Sequence, residues 1–211
     1  MIGNNFIKYV SVLILITGFS CNNEKTEVKI SDITNESNYE ITEIKVNDSV
    51  IQIEGDNSRY KLNGYKDIKN NVKIGWWKIE DRIRNEQYEI EYISLDKNKE
   101  NQIKFYKEKK LIKKFSHYYT FDYQNGGYLF KFYFPKFPNE KKEVEFDYMT
   151  KGDNDSMTSK KIECKEEINY YSCFIPVENK NQLIIGIVTE FSEIDQSNKI
   201  FLSSKSMYVR N

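Results

Sequence analysis

Apolar and polar residues alternate at every second position through most of the chain beyond residue 40. In one segment, for example, Tyr88, Ile90 and Tyr92 are separated by Glu89 and Glu91. A period of two places the apolar side chains on one face of a β-strand. No window of helical length shows a clear period of 3.6 residues. The pattern therefore predicts an all-β fold with about eleven or twelve antiparallel strands.

Composition supports the same fold class. The sequence contains no alanine, which is the best helix former, whereas it has 16 Tyr and 13 Phe. Aromatic and β-branched residues are enriched in strands because they pack well on a pleated surface.

Turn residues divide the alternating segments, and the strongest turn signal is Gln124-Asn125-Gly126-Gly127. The strands predicted before this turn are short and charged, whereas those after it are longer and more apolar. We therefore predict a β-meander over residues 40–125 and a β-sandwich-like region over residues 126–211. The alternative is a single β-sandwich.

The first 20 residues have the three parts of a secretory signal. Lys8 supplies positive charge, and an uncharged apolar run of 11 residues extends from Tyr9 to Phe19. A helix that crosses a bilayer needs about 17–25 apolar residues. Residues 1–20 are therefore predicted to be a cleaved signal peptide and not a permanent membrane span.

Cys21 follows small residues at the end of this run, and Gly18-Phe19-Ser20-Cys21 resembles the lipobox of bacterial lipoproteins, which usually begins with Leu. The resemblance implies acylation of Cys21 by chains such as palmitate and anchoring to the cell membrane or the outer membrane of the envelope. The alternative is an ordinary signal peptide with an incidental cysteine. Residues 21–39 are predicted to form a polar tether, and the composition resembles uncharacterised lipoproteins of the Bacteroidetes type.

Removal of the leader leaves 31 basic and 32 acidic side chains, because Lys8 is its only charged residue. Proteins that bind nucleic acid usually present a basic face, so this balance gives no reason to expect a nucleic-acid partner. The two remaining cysteines, Cys164 and Cys173, can form a disulfide between two strands of a hairpin in an oxidising compartment. Two buried free thiols are the alternative.

The segment Gly75-Trp76-Trp77-Lys78 and the strands that follow it are similar to MORN-like β-hairpin repeats over residues 60–123. The glycine of the repeat's turn is replaced here by Glu108-Lys109. The resemblance implies a ladder of hairpins that serves as a scaffold or interaction surface. Trp76 and Trp77 are the candidate aromatic binding surface, and an exposed platform there would favour glycan binding.

Motifs for catalysis and for cofactor or metal binding are weak. His117 is the only histidine and lies in a predicted strand, where a structural role is expected. Asp153-Asn154-Asp155 has the spacing of the first ligands of a calcium loop, but the later glycine and glutamate are missing. We therefore predict no cofactor and no metal site.

Carboxylate pairs of the type used in glycoside hydrolysis occur several times, but their number makes each uninformative. The pairs are Glu80-Asp81, Glu89-Glu91, Glu143-Glu145 and Glu190-Glu193.

Together these features predict a lipid-anchored envelope protein that acts as a non-catalytic binding or structural module for a protein, a glycan or another envelope component. Two alternatives remain at this stage: a small envelope hydrolase acting on glycans, and an inhibitor or immunity-type lipoprotein.

Overall fold

The computed structural model describes residues 29–94, 98–137, 139–151, 157–196 and 199–211. The predicted signal peptide of residues 1–20, Cys21 and the Asp153-Asn154-Asp155 segment lie outside the described residues. Among the described residues, no helix is both long and apolar enough to cross a membrane.

The prediction of an all-β fold is confirmed: the described chain is organised into fifteen strands, and its helical elements are short. The helical elements are α1 (Ile30–Ile33) and two 3₁₀ turns, Glu36–Asn38 and Lys113–Phe115. The strands are β1 (Glu40–Lys45), β2 (Val50–Asp56), β3 (Tyr60–Asp67), β4 (Val72–Asp81), β5 (Glu86–Ile93), β6 (Lys99–Lys107), β7 (Lys110–Leu111), β8 (Tyr118–Gln124), β9 (Gly127–Tyr133), β10 (Glu140–Lys151), β11 (Met157–Glu163), β12 (Lys165–Glu166), β13 (Tyr171–Pro176), β14 (Ile184–Gln196) and β15 (Lys199–Arg210).

Strands β1 to β7 form one antiparallel sheet in sequence order, which is the topology of a meander. Each strand pairs with the next because the connections are tight turns. In the turn between β6 and β7, Glu108 and Lys109 both have positive φ, 51° and 65°. Two such residues in succession are typical of a type I′ hairpin turn, and here the chain forms it without glycine.

The core of the meander centres on Trp77, which is fully buried together with Ile53, Leu62, Ile79 and Ile90. The strand pairing shifts register around Gly64, and a Cβ atom at that position would lie 2.2 Å from the Trp77 ring. A side chain at residue 64 would therefore occupy space that the indole fills.

The prediction of a polar tether over residues 21–39 is wrong for residues 30–39, because side chains of this segment pack against the meander. Ile33 is 3% exposed and belongs to the core around Trp77. The Tyr39 hydroxyl donates a hydrogen bond of 2.5 Å to the carbonyl of Ile33. Apolar residues within this polar segment cover one face of the sheet, which would otherwise remain in water.

Strands β8 to β15 form two four-stranded antiparallel sheets that pack face to face. One sheet has the order β12-β13-β9-β8 and the other has the order β11-β10-β14-β15. Lettered A to G along the chain, with β11 as C′, these orders are D-E-B-A and C′-C-F-G. This is the arrangement of an immunoglobulin-like Greek-key sandwich.

The meander ends earlier than predicted. The boundary placed at residues 125–126 falls inside a hairpin, because β8 and β9 pair with each other in one sheet of the sandwich. Asn125 and Gly126 have φ of 51° and 75°, so the turn itself forms as predicted. The chain leaves the meander after Leu111 and enters the sandwich at Tyr118.

The sandwich core is aromatic. Phe130, Phe132 and Phe146 are fully buried, and the Phe146 ring lies 5.3 Å from each of the other two in edge-to-face geometry. Val188 on β14, the strand beside β10, and Met207 on the next strand, β15, complete the packing. Phe146 comes from an alternating segment, so its inward orientation is the one that the period of two predicted.

Cys164 and Cys173 form a disulfide, with their Cα atoms 4.8 Å apart. The first strand of the hairpin predicted around them is wrong, because residues 157–163 pair with β10 in the other sheet. A shorter hairpin, formed by β12 and β13, lies between the two cysteines instead. Cys164 lies where the chain crosses from β11 to β12, and Cys173 lies in β13. A disulfide that closes so short a loop contributes on the order of 2–3 kcal/mol.

The meander and the sandwich are joined through residues of β6. The Asn101 side chain accepts a hydrogen bond of 2.6 Å from the Tyr208 amide and donates one of 2.9 Å to the Tyr208 carbonyl. Next to it, Gln102 accepts from the Tyr119 amide at 3.0 Å. Both side chains are buried, so these bonds satisfy groups that water cannot reach.

His117 lies at this joint and exchanges two backbone hydrogen bonds with Ile103, of 2.7 and 2.9 Å. His117 as a whole residue is 7% exposed. Burial, and then the positive charge of Lys205, lowers its pKa to about 3. The ring is therefore neutral in the folded protein near pH 7, as expected for a structural histidine.

The pKa of His117 predicts a loss of stability in acid. The free histidine titrates near 6.5 and the folded one near 3, so the unfolded chain binds more protons between these values. We expect the free energy of unfolding to fall by up to about 1.4 kcal/mol per pH unit below about pH 6.5. Urea denaturation of the wild type and His117→Gln measures this slope. An equal slope in both proteins between about pH 5 and 6.5 would assign it to other groups.

Candidate functional site

The sheet that contains β10 extends beyond the opposite sheet at one end of the sandwich. Strands β10 and β14 have 12 and 13 residues, whereas β9 and β13 have 7 and 6. The inward-facing positions of the longer strands therefore continue past the aromatic core. On β10 these positions are Glu140 and Lys142, in phase with Val144.

The overhang carries a buried charge cluster of Glu140, Lys142 and Glu190, whose side chains are only 2%, 3% and 6% exposed. The Lys142 ammonium forms an ion pair with Glu140 at 3.1 Å and donates a hydrogen bond to Glu190. The Ser192 hydroxyl donates to Glu190 at 2.6 Å, and the Phe137 amide donates to Glu140 at 2.8 Å. Buried charges need such partners, because a charge removed from water without them is costly.

Tyr171 reaches this region from β13 in the opposite sheet. It is 7% exposed, and its hydroxyl oxygen is buried without a hydrogen-bond partner among the described residues. Burial, and to a lesser extent the negative charges of Glu166, Glu190 and Glu140, raise the pKa of Tyr171 to about 12. The hydroxyl is therefore protonated at neutral pH and can donate a hydrogen bond.

Tyr171 and Lys142 line a cleft of about 260 Å³, which we call the end cleft. Its walls include the rings of Tyr133 and Tyr170, whose centroids lie 5.7 Å apart. Tyr133 is held in place by stacking on Tyr118 at 4.4 Å, with the ring planes 5° apart. The end cleft therefore has rigid aromatic walls and a polar floor, a combination typical of small-molecule sites.

The rim of the end cleft is basic. Lys136 pairs with Glu166 at 2.6 Å, but Lys113 and Lys114 form no ion pair with any described residue. The Lys113 ammonium lies 5.3 Å from the centre of the Tyr133 ring. Behind the floor, Glu140 and Glu190 outnumber Lys142, so the charge changes from positive at the rim to negative in the interior.

This arrangement is suited to recognition. The floor contains Tyr171, whose buried hydroxyl has no partner among the described residues, the walls offer aromatic ring surfaces, and the rim offers the two exposed ammonium groups of Lys113 and Lys114. Both carboxylates lie behind Lys142 and bond to it. Their negative charge therefore acts through the ammonium and not by direct contact across the cleft.

Sequence reasoning found only part of this site. Glu190 was one of the candidate carboxylates, but its proposed partner Glu193 pairs with Lys141 at 3.5 Å. Glu140, Lys142 and Tyr171 were not identified. Glu140 and Lys142 could have been found from the sequence. They are charged residues at positions of β10 that alternate with the outward-facing ones, where the rest of the strand is apolar.

The structure separates the candidate carboxylates Glu80 and Asp81. Asp81 is buried and bonds to Arg59 at 2.6 Å, whereas Glu80 faces solvent and pairs with Lys78 at 2.6 Å. Burial alone would raise the pKa of Asp81, but hydrogen bonds from Arg59 and from two backbone amides lower it. The Arg59–Asp81 pair thus stabilises the β4–β5 turn.

Carboxylates of the remaining pairs form hydrogen bonds or ion pairs with neighbouring strands. Glu89 and Glu91 both lie on the outer face of the meander, where Glu89 accepts from Tyr106 at 3.0 Å and Glu91 accepts from Asn101 at 2.7 Å. On the outside of the sandwich, Glu145 pairs with Lys161 at 2.6 Å.

The two tryptophans do not form one exposed surface. Trp77 is fully buried, whereas Trp76 is 38% exposed on the opposite face of β4. The Lys104 ammonium lies 4.5 Å from the centre of the Trp76 ring, so a neighbouring side chain already covers part of it. The predicted platform is therefore wrong, because adjacent residues of a strand point to opposite faces.

No protein-family model matches the chain, and no curated protein sequence does. Among solved structures, the chain is similar to the chicken interferon gamma receptor alpha chain. That match has 9% identity and a TM-score of 0.25, and it covers 81% of this chain and 96% of the receptor chain. A likeness this weak carries no argument, so the fold rests on the strand order alone.

Proposed function

We propose that the protein is an exported, lipid-anchored envelope protein whose folded body binds an envelope component in the end cleft. The observation that carries the binding role is the Tyr171 hydroxyl, buried beside the charge cluster and left without a protein partner. An unpaired buried hydroxyl costs about 1–3 kcal/mol, so such groups call for a ligand or water partner. The cleft is preformed and has aromatic walls, which is typical of a site that binds a ligand and not only water.

Two observations support export. The leader of residues 1–20 and the lipobox-like Gly18-Phe19-Ser20-Cys21 place a thiol where lipoproteins carry acyl chains. The Cys164–Cys173 disulfide is the second, because disulfides persist mainly in oxidising compartments outside the cytosol.

The anchor is tested by labelling cells that express the full chain with radioactive palmitate. We expect label on the wild type and none on Cys21→Ser. The matched control is the double variant Cys164→Ser/Cys173→Ser, which loses the disulfide but should keep the label. Equal label on Cys21→Ser and the wild type, or no label on the wild type, would contradict acylation of Cys21.

The binding role is tested separately, with the full-length chain purified in detergent. The chain is mixed with protease-treated envelope material and sedimented. We expect the wild type to sediment with the material and Tyr171→Phe to remain largely in solution. Tyr171→Phe removes only an unpaired hydroxyl, so its stability should equal or exceed that of the wild type. If the two proteins sediment equally, the end cleft is not the binding site.

A further inference from the structure

The charges around the end cleft indicate which charge its ligand carries. Lys136 and Lys165 are neutralised at the rim by Glu166 and Glu167, at 2.6 and 2.9 Å. Lys113 and Lys114 have contacts to aromatic rings but no ion pair with any described residue. Two uncompensated positive charges at the mouth favour a ligand that carries a negative group.

The floor favours hydroxyl groups over an amine. Lys142 lines the end cleft while Glu140 and Glu190 lie behind it, so a ligand ammonium at the floor would meet another ammonium. A ligand hydroxyl can instead accept from Tyr171, and it can also donate to the phenol oxygen.

The walls favour a flat, partly apolar ring. The rings of Tyr133 and Tyr170 meet at 48°, and Ile168, at the tip of the β12–β13 hairpin, is 94% exposed beside them. Ligand sites typically measure about 300–1,000 Å³, so a cleft of about 260 Å³ suits one ring and not a longer segment.

From these features we infer that the end cleft binds a single sugar residue that carries a carboxylate, as part of an acidic polysaccharide. The sugar ring lies against Tyr133 and Tyr170, a ring hydroxyl bonds to Tyr171, and the carboxylate faces Lys113 and Lys114. This inference rests on the proposed function and names the class of ligand for the same site.

The test is titration calorimetry on the full-length chain in detergent, with three oligosaccharide probes of equal length built from galacturonic acid, galactose and galactosamine. We expect the acidic probe to bind at least about tenfold more tightly than the neutral one, and the amino probe to bind most weakly. Raising the salt concentration should weaken the acidic probe more than the neutral one, because the rim cations are exposed.

Two variants test which side chains contact the probe. Lys113→Gln/Lys114→Gln should reduce the affinity for the acidic probe about tenfold and leave the neutral probe unchanged. Tyr171→Phe should weaken both probes severalfold without lowering the thermal midpoint. The matched control is Lys141→Gln, on the outer face of the same strand as Lys142, which should change neither.

Equal affinity for the acidic and neutral probes, or tighter binding of the amino probe, would overturn the inference. If no probe binds while the wild type still sediments with envelope material, the ligand class is wrong and the proposed function survives. If neither the probes nor the envelope material bind, both fail.

Discussion

Replacing Lys142 by alanine is expected to lower the free energy of unfolding by about 3–5 kcal/mol. The variant leaves Glu140 and Glu190 buried on the same inner face without the ammonium that both bond to. Unpaired buried carboxylates must either remain charged in a poorly solvated site or take up protons, and both outcomes destabilise the fold. Urea denaturation near pH 7 gives the loss.

Two further variants test the cause. Lys141→Ala removes a neighbouring lysine whose side chain is 86% exposed, and it should change stability by less than about 1 kcal/mol. The triple variant Lys142→Met/Glu140→Gln/Glu190→Gln removes all three charges and should recover most of the loss. If Lys142→Ala is as stable as the wild type, the cluster is solvated or protonated and does not depend on its lysine.

The second large effect is expected at Trp77. Trp77→Ala should destabilise the protein by about 3–5 kcal/mol, because it removes a fully buried indole and leaves a cavity against Gly64. It also removes the hydrogen bond of 3.0 Å from the indole nitrogen to the Tyr65 carbonyl. Thermal or urea denaturation with a fluorescence probe other than Trp77 measures the change.

The adjacent residue provides the control. Trp76→Ala removes a partly exposed ring that contacts Lys104, so a loss of no more than about 1 kcal/mol is expected. Similar losses for the two variants would mean that the opposite faces of β4 are equally buried, which contradicts the packing described above.

Trp76 and Trp77 show what the local sequence can predict about a strand and what it cannot. The period of two already implied that two adjacent residues of one strand face opposite sides, so a joint platform conflicted with the pattern that predicted the strand. Which of the two is buried could not be read locally. That choice depends on Gly64, which leaves space for the indole from the neighbouring strand.

At Asn125-Gly126 the local sequence likewise predicted the turn but not the sheet that its strands join. The turn residues predicted a reversal of the chain, and β8 and β9 do form a hairpin there. The boundary drawn at this turn was wrong, because a turn does not specify which sheet its strands join. The pairing of β9 with β13 makes that assignment, across about 40 residues of intervening chain.

The end cleft depends even more on distant pairings. Glu140 and Lys142 are in the inward phase of β10, which the sequence shows. Glu190 joins them because β10 pairs with β14, where Val144 lies opposite Glu190. Tyr171 comes from the other sheet of the sandwich, so only the packing of the two sheets brings its hydroxyl to the cluster.

By itself the sequence determined most of the strands, the inward-facing side of several of them and the positions of several turns. These follow from backbone geometry, which repeats every two residues and acts within a few positions along the chain. Only the tertiary structure decided which strands are neighbours, how far one sheet extends past the other and which charged groups meet. Those outcomes depend on hydrogen-bond register and packing between segments far apart in sequence, and a local pattern carries no information about them.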